Sequence, residues 1–514
     1  MTASMGRLFD GADWDFRTLQ RIHDACEEIA TSELGLDVYP NQIEVITAEQ
    51  MLDAYASIAM PLFYKHWSFG KHFAYHEASY RKGLTGLAYE IVINSSPCIS
   101  YLMEENTATM QTLVIAHAAF GHNHFFKNNY LFRQWSDADG ILDYLEFAKK
   151  YVTQCEEREG QQAVEHTLDA AHALMSHGID RYPGKKKLDF RSEEKRAGHR
   201  RAHEESVFND LWRTVPSGPA KSVATLGIER RRKLLGLPQE NLLYFLEKTA
   251  PRLKPWQREL LRIVRHIAQY FYPQRQTKVM NEGTATYVHY RIMQRLHEQG
   301  RISDGNFLEF LQSHTNVVFQ PEFDDPRFSG FNPYALGFAM MQDIARIVTD
   351  PQDEDRAWFP DIAGKGDVMG VLRHVWANYR DESFIGQFLS PRLIRQLRMF
   401  HLHDDPAERA GVRVGAIHDE RGYQRVRREL AREFDVGFTD ANIEVVDVDL
   451  AGDRRLMLTH AVLNGAQLNE ADAKRVLQHL ADLWSYDVRL AEIDSSGKVL
   501  KEYTLSPRAM ATAA

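Results

Sequence analysis

Between residues 239 and 399 apolar side chains recur at intervals of three and four, and such a pattern buries its surface in one way, helix against helix. The stretches 239–250, 254–271, 281–299, 303–314, Tyr334 onward, 366–380 and 390–399 each read as a helix. The same spacing predicts helices over 14–34, 47–60, 104–126, 138–157 and 160–177. The stretch 62–101 interrupts it with aromatics, Gly and His, and holds a predicted strand from Ala88 to Asn94. Residues 183–235 are rich in Arg, Lys and Glu around Pro216, Gly218 and Pro219, and read as a charged connecting arm. After His403 the texture changes. A charged helix over 419–434 precedes a strand at 443–450, an AGDR turn and a returning strand, Leu456 to His460. A helix over 468–483 and strands over 485–493 and 499–504 follow. The expected fold is mainly α: a large helical body over 1–403 and a small C-terminal α+β domain over 404–514, a normal domain size.

A chain of 514 residues with 44% hydrophobic and 26% charged side chains needs neither disulfide nor metal simply to fold. Its net charge of −9 and pI near 6.2 argue against general nucleic-acid binding, which needs basic residues to neutralise phosphates. Cys26, Cys98 and Cys155 are odd in number and far apart, as in a reducing compartment. The opening MTASMGRLFDGADWDF lacks the apolar core of a signal peptide. No stretch reaches the roughly 20 apolar residues of a membrane span, and the most apolar one, 335–348, carries Asp343 and Arg346. A cytoplasmic protein is expected.

Four segments concentrate residues able to bind metal or move protons. In IAHAAFGHNHFF, His117 and His124 lie seven apart, on one face of a continuous α-helix, while His122 points elsewhere unless Gly121 breaks the helix. Metal ligation is one reading, and hydrogen-bonded core histidines or a surface cluster the other. In EHTLDAAHALMSH, Glu165, Asp169 and His172 share a face, and Asp-x-x-His resembles the spacing of helical metal sites; an ordinary polar face explains it as well. In KVMNEGTATYVHY, Glu282 and His289 are seven apart, with Gly283 and Ala285 small enough to admit a neighbouring helix. The Asn281-Glu282-Gly283 step resembles the segment that supplies the glutamate ligand of many single-zinc peptidases. The alternative is a helix start with Asn281 as cap. In WQRELLRIVRHIAQYF, an ion pair of Glu259 with Arg262 is preferred to a pairing of Glu259 with His266.

The sequence contains no HExxH, no GxxxxGK[ST], no GxSxG and no GxGxxG. The expected site is therefore a metal centre ligated by His117, His124, Glu282 and His289, with Asp169 and His172 as a second group. Imidazoles and carboxylates without thiolate suit zinc, iron or manganese. For hydrolysis, Glu104 or Glu105, just before the His-bearing segment, is the expected base.

The strings YEIVINSSPCISYLMEENT, IAHAAFGHNHFFKNN, ENLLYFLEKTAPRLKPWQRELLRIVRHIAQYFYPQRQTKVMNEGTATYVHY, NPYALGFAMMQDI and DESFIGQFLSP resemble those of the SpoVR (stage V sporulation protein R) family, from about residue 14 to 500. The resemblance departs at Thr284 and Val288, where the family carries aromatics. It implies a place in a bacterial stress or sporulation (spore cortex) pathway, and partnership with a PrkA-type serine protein kinase and its co-encoded partner. It carries over no catalytic residue. Two functions are left standing: a metal-dependent hydrolase, and a non-enzymatic adaptor or regulator for that kinase.

Overall fold

The computed structural model describes residues 6–56, 64–68, 71, 90–181, 235–322, 325–399, 402–404, 412–414, 419–449, 452–463 and 465–508. The charged arm read at 183–235 lies outside them except for its last residue, Leu235. The chain forms two compact units, one of Met1–Glu165 with Gln269–Asp440, the other of His166–Ala268 with Ala441–Ala514. The fold is mainly α with a small C-terminal α+β region. No helix among the described residues is long and apolar enough to cross a membrane.

In the first unit a three-stranded sheet backs the helices. Its order is β1 (Asn41–Ile46), β3 (Cys98–Met103), β2 (Glu90–Ile93), with β1 parallel and β2 antiparallel to the central β3. All six residues of β3 are buried, as expected of a strand covered on both faces. In β2 the alternation sends Ile91 and Ile93 into an apolar cluster with Met51 and Ile99, and leaves Glu90 on the other face.

Thr107 caps the next helix, accepting from Met110 N at 3.2 Å. The helix runs Ala108–Ile115, widens into a π-helix over Ala116–His122, and resumes as α over Asn123–Asn128. Nearly every residue from Ala108 to Phe126 is buried. A segment apolar all round can only be a core helix.

Helix Lys278–Glu298 lies against it. Gly121 meets Ala285 so closely that a Cβ on Gly121 would stand 2.5 Å from Ala285 Cα. On its other side Gly283 abuts Gly337 of helix Pro333–Thr349. Small residues at both contacts let backbones touch, as their sizes predict. The helix begins at Lys278, three residues earlier than the sequence pattern placed it, so Asn281 lies inside and is not its cap. Capping comes instead from Asp381, whose two carboxylate oxygens accept from Val279 N and Met280 N at 2.8 Å each. Asp381→Ala leaves these donors buried and unpaired, and is expected to cost about 2 kcal/mol in a urea titration.

The first unit also holds a short antiparallel pair, β4 (Leu402–Asp404) and β5 (Val412–Val414). In the second unit, β6 (Ile443–Val448), β7 (Leu456–Ala461), β8 (Val488–Ile493) and β9 (Val499–Leu505) form one sheet in that order. β6 and β7 make the expected hairpin, and helix Glu470–Trp484 crosses over between parallel β7 and β8. This unit also draws in earlier chain: Gln239 and Val445 exchange backbone hydrogen bonds at 3.0 and 2.8 Å, and Phe245 stacks on Trp484. Glu259 lies 3.8 Å from Arg262, the ion pair read from their spacing.

Candidate metal centre

The π-helix decides which histidines meet. Asn123 N donates back to Ala118 O, five residues away, where an α-helix would reach four. Residues five apart therefore become neighbours along the segment, and His117 and His122 come together with ring centroids 4.6 Å apart. The expectation that His122 points elsewhere is corrected, for it assumed a continuous α-helix.

His117 Nε2 lies 3.6 Å from Glu90 Oε1 and 3.8 Å from Glu282 Oε2. His122 Nε2 is 3.5 Å from the same Glu282 oxygen. One ligand atom from each of Glu90, His117 and His122 lies within 4.8 Å of the others. The imidazoles are buried, and the side chains of Glu90 and Glu282 are only 18% and 17% exposed. Glu282 Oε2 is itself buried and has no hydrogen bond.

The outer atoms of both imidazoles are engaged. His122 Nδ1 is 2.9 Å from Asn281 Oδ1. An amide oxygen only accepts, so His122 carries its proton on Nδ1 and turns the Nε2 lone pair toward Glu282. His117 Nδ1 is 2.9 Å from His289 Nδ1, and His289 Nε2 is 3.0 Å from His314 Nδ1. Tyr334 lies parallel to the His117 ring at 6.3 Å, and Phe126 stacks on His122 at 5.8 Å.

Burial drives His122 down to about 4, with the nearby His117 working in the same direction and Glu282 opposing. For His117 burial is outweighed by Glu282 and Glu90, which raise it above its ordinary value. Burial alone would push Glu282 up, but His117 and His122, helped by Tyr334, hold it below the usual range. Glu90 goes the other way, raised by burial and by Glu282 against the pull of His117.

Of the residues expected from the sequence, His117 and Glu282 stand in this cluster, and His289 stands behind it, both ring nitrogens facing imidazoles. His124 does not reach it. Beyond the π-turn it faces the chain at Asp37, its Nδ1 2.9 Å from Asp37 O, with its ring against Trp376. Asp169 and His172 belong to the second unit. Glu104 and Glu105 sit exposed on the turn after β3, where Glu105 accepts from Ala48 N. Glu90 and His122 were missed. The cue for Glu90 was a carboxylate opening an otherwise apolar strand, YEIVIN; for His122 it was the five-residue step to His117. Burial pushes the Cys98 thiol up to about 12, an inert core cysteine.

His122, His124 and His314 are each brought to about 4, mainly by burial, from an ordinary 6.5. As pH falls through that interval the unfolded chain binds protons first, so stability is lost between about 6.5 and 4. The raised His117, Glu90 and Asp381, the last brought up to about 7 by burial, work in the opposite sense and offset part of this. The urea midpoint of cation-free protein is expected to drop clearly from about pH 7.5 to about pH 5. An unchanged midpoint would mean that these imidazoles protonate inside the folded chain.

Against known families, a model described as SpoVR like protein matches residues 13–439, and one for a SpoVR-like C-terminal domain matches residues 441–495. An Escherichia coli K12 protein, described as uncharacterized protein YcgB, is 50% identical over 499 residues, covering 97% of this chain and 96% of its own. No solved structure matches.

Proposed function

The chain belongs to the SpoVR family, and we propose that it is a metal-dependent hydrolase whose cation is held by His117, His122 and Glu282. The observation that carries this reading is a pair of facing lone pairs. His122 Nε2, unprotonated because Nδ1 serves Asn281, looks at Glu282 Oε2 across 3.5 Å in a buried place where that oxygen has no hydrogen bond. Two such atoms repel unless a cation or a hydrogen-bond donor lies between them, and a cation would serve both lone pairs at once. The spacing fits one. Ligand bonds of roughly 2.1 Å at tetrahedral angles put ligand atoms about 3.4 Å apart, against the 3.5 and 3.8 Å from Glu282 Oε2 to His122 Nε2 and His117 Nε2. Zinc, iron and manganese all accept this donor set.

A divalent cation at this position would polarise the scissile group and the attacking water, the Lewis-acid share of hydrolysis. The protein supplies the rest. Asn281 fixes the His122 tautomer, and the second imidazole, His117, is fixed from behind by His289. Glu90 reaches in from the sheet rather than from the helices, and takes the proton of the attacking water on its carboxylate. Burial keeps bulk solvent from weakening these charges.

The test is elemental analysis of protein purified without a metal-binding tag, with hydrolysis assayed on ester, phosphate and peptide probes. Wild type is expected to carry about one ion per chain, His117→Ala and His122→Ala none. Glu90→Gln should keep the ion and lose turnover. A folded wild type that takes up no cation on reconstitution rejects the centre. Loss of the ion from Glu90→Gln would make Glu90 a fourth ligand of a closed, structural site, and so reject hydrolysis.

A further inference from the structure

Behind the proposed ligand His117 stand two more buried imidazoles in line. His289 comes from helix Lys278–Glu298 and His314 from helix Asp304–Val317. They are 2% and 5% exposed, and the links are 2.9 Å from His117 Nδ1 to His289 Nδ1 and 3.0 Å from His289 Nε2 to His314 Nδ1. Phe310, Tyr290 and Phe338 surround His314, with ring centroids 5.6, 5.1 and 4.8 Å away. Apolar walls on this side hold the ring in place.

We infer that His289 and His314 are positioning residues that set the direction of one hydrogen-bonded row, so that His117 presents its Nε2 lone pair to the cation. This rests on the cation site proposed above. The assignment follows ring by ring. For Nε2 of His117 to be a ligand, its proton must sit on Nδ1 and be donated to His289 Nδ1. His289, accepting there, carries its proton on Nε2 and donates it to His314 Nδ1. His314 in turn keeps its proton on Nε2. Each ring holds one proton and each link has one donor and one acceptor, so the row is satisfied without a charge. Reversing one ring alone sets two protons or two lone pairs against each other, whereas reversing all three puts the His117 proton on Nε2, facing Glu282, and leaves no lone pair there for the cation. The tautomer of His314, two rings away, is thereby coupled to that of the ligand. His289 cannot itself be a ligand while both its nitrogens serve the row.

The experiment measures zinc affinity by chelator competition in the full-length chain, comparing wild type with His314→Asn and His314→Leu. Asparagine places an oxygen where Nδ1 stood and still accepts from His289; leucine does not. Affinity is expected to stay close to wild type in His314→Asn and to fall about 10- to 100-fold in His314→Leu. Purely structural packing at this site would favour leucine, so equal affinity in all three, or equal loss in both variants, overturns the row. A second readout needs no metal. Nitrogen-15 spectra of histidine-labelled, cation-free protein should show His289 protonated on Nε2 and bare on Nδ1. The opposite tautomer overturns the row even if zinc binds. If wild type binds no zinc while His289 shows the expected tautomer, the cation site fails and the direction of the row stands.

Discussion

Glu282→Ala is expected to lower affinity for zinc or manganese by more than the roughly 10- to 100-fold that changes behind a ligand produce, and to abolish any hydrolysis with it. The reason is geometric. Glu282 Oε2 lies within 4 Å of both imidazole Nε2 atoms and has no hydrogen bond of its own. Removing it also frees two buried imidazoles from the carboxylate that faces them both, so His117 loses the influence that contributes most to its raised pKa. Glu282→Gln separates charge from shape: it keeps an oxygen in place but no negative charge, and should also fail to retain the ion. Dialysis against a chelator followed by elemental analysis gives the answer. A Glu282→Ala protein with wild-type metal content would remove this residue from the centre.

Gly337→Ala should be the most damaging single methyl in the helical core. In most helices the change gains about 1 kcal/mol of propensity. Here the new Cβ would stand 2.2 Å from Val279 O and 2.7 Å from Gly283 Cα. Both neighbours are backbone, so no side chain can rotate away, and the helices must separate. The net cost is expected to exceed about 4 kcal/mol, the range reserved for changes the fold cannot absorb. Separation would also carry Glu282, next to Gly283, away from the π-helix, so residual folded protein should hold little metal. Gly305→Ala is the control. It lies in helix Asp304–Val317 with only Ser303 Oγ near, at 3.7 Å, and should be neutral or stabilising. Equal urea midpoints for the two variants would show that the helix contact is looser than described.

The helical architecture was legible because long runs of apolar residues at three- and four-residue spacing have one common solution. The C-terminal hairpin and crossover were legible for the same kind of reason, an alternation that switches period. The short strand β3 was not, since a strand buried on both faces has no alternation to read. Helix Asp381–Phe388 escaped too, although its first residue caps the helix that carries Glu282. Within the proposed site, His117 and Glu282 were picked out by their seven-residue pairings with His124 and His289, and Glu282 also by its Asn-Glu-Gly step. His124 was chosen over His122 because seven residues make two turns of an α-helix, a count that fails where the helix widens. Glu90 could not be reached by helical spacing at all, since it arrives from a sheet.

Between His117 and His122 lie four residues, Ala118, Ala119, Phe120 and Gly121. Their number and the widened backbone belong together. In an unbroken α-helix a five-residue step would turn the two imidazoles about 140° apart, and they meet because the helix widens here. Shortening the stretch by one would allow an unbroken α-helix in which the histidines, now four apart, again share a face. The pair is therefore specified by spacing and helix type jointly, and a comparison that checks only whether the ligands are there sees neither. A relative with one residue fewer and a regular α-helix in this interval should be counted as keeping the pair, and one with the same spacing but no widened turn as having lost it.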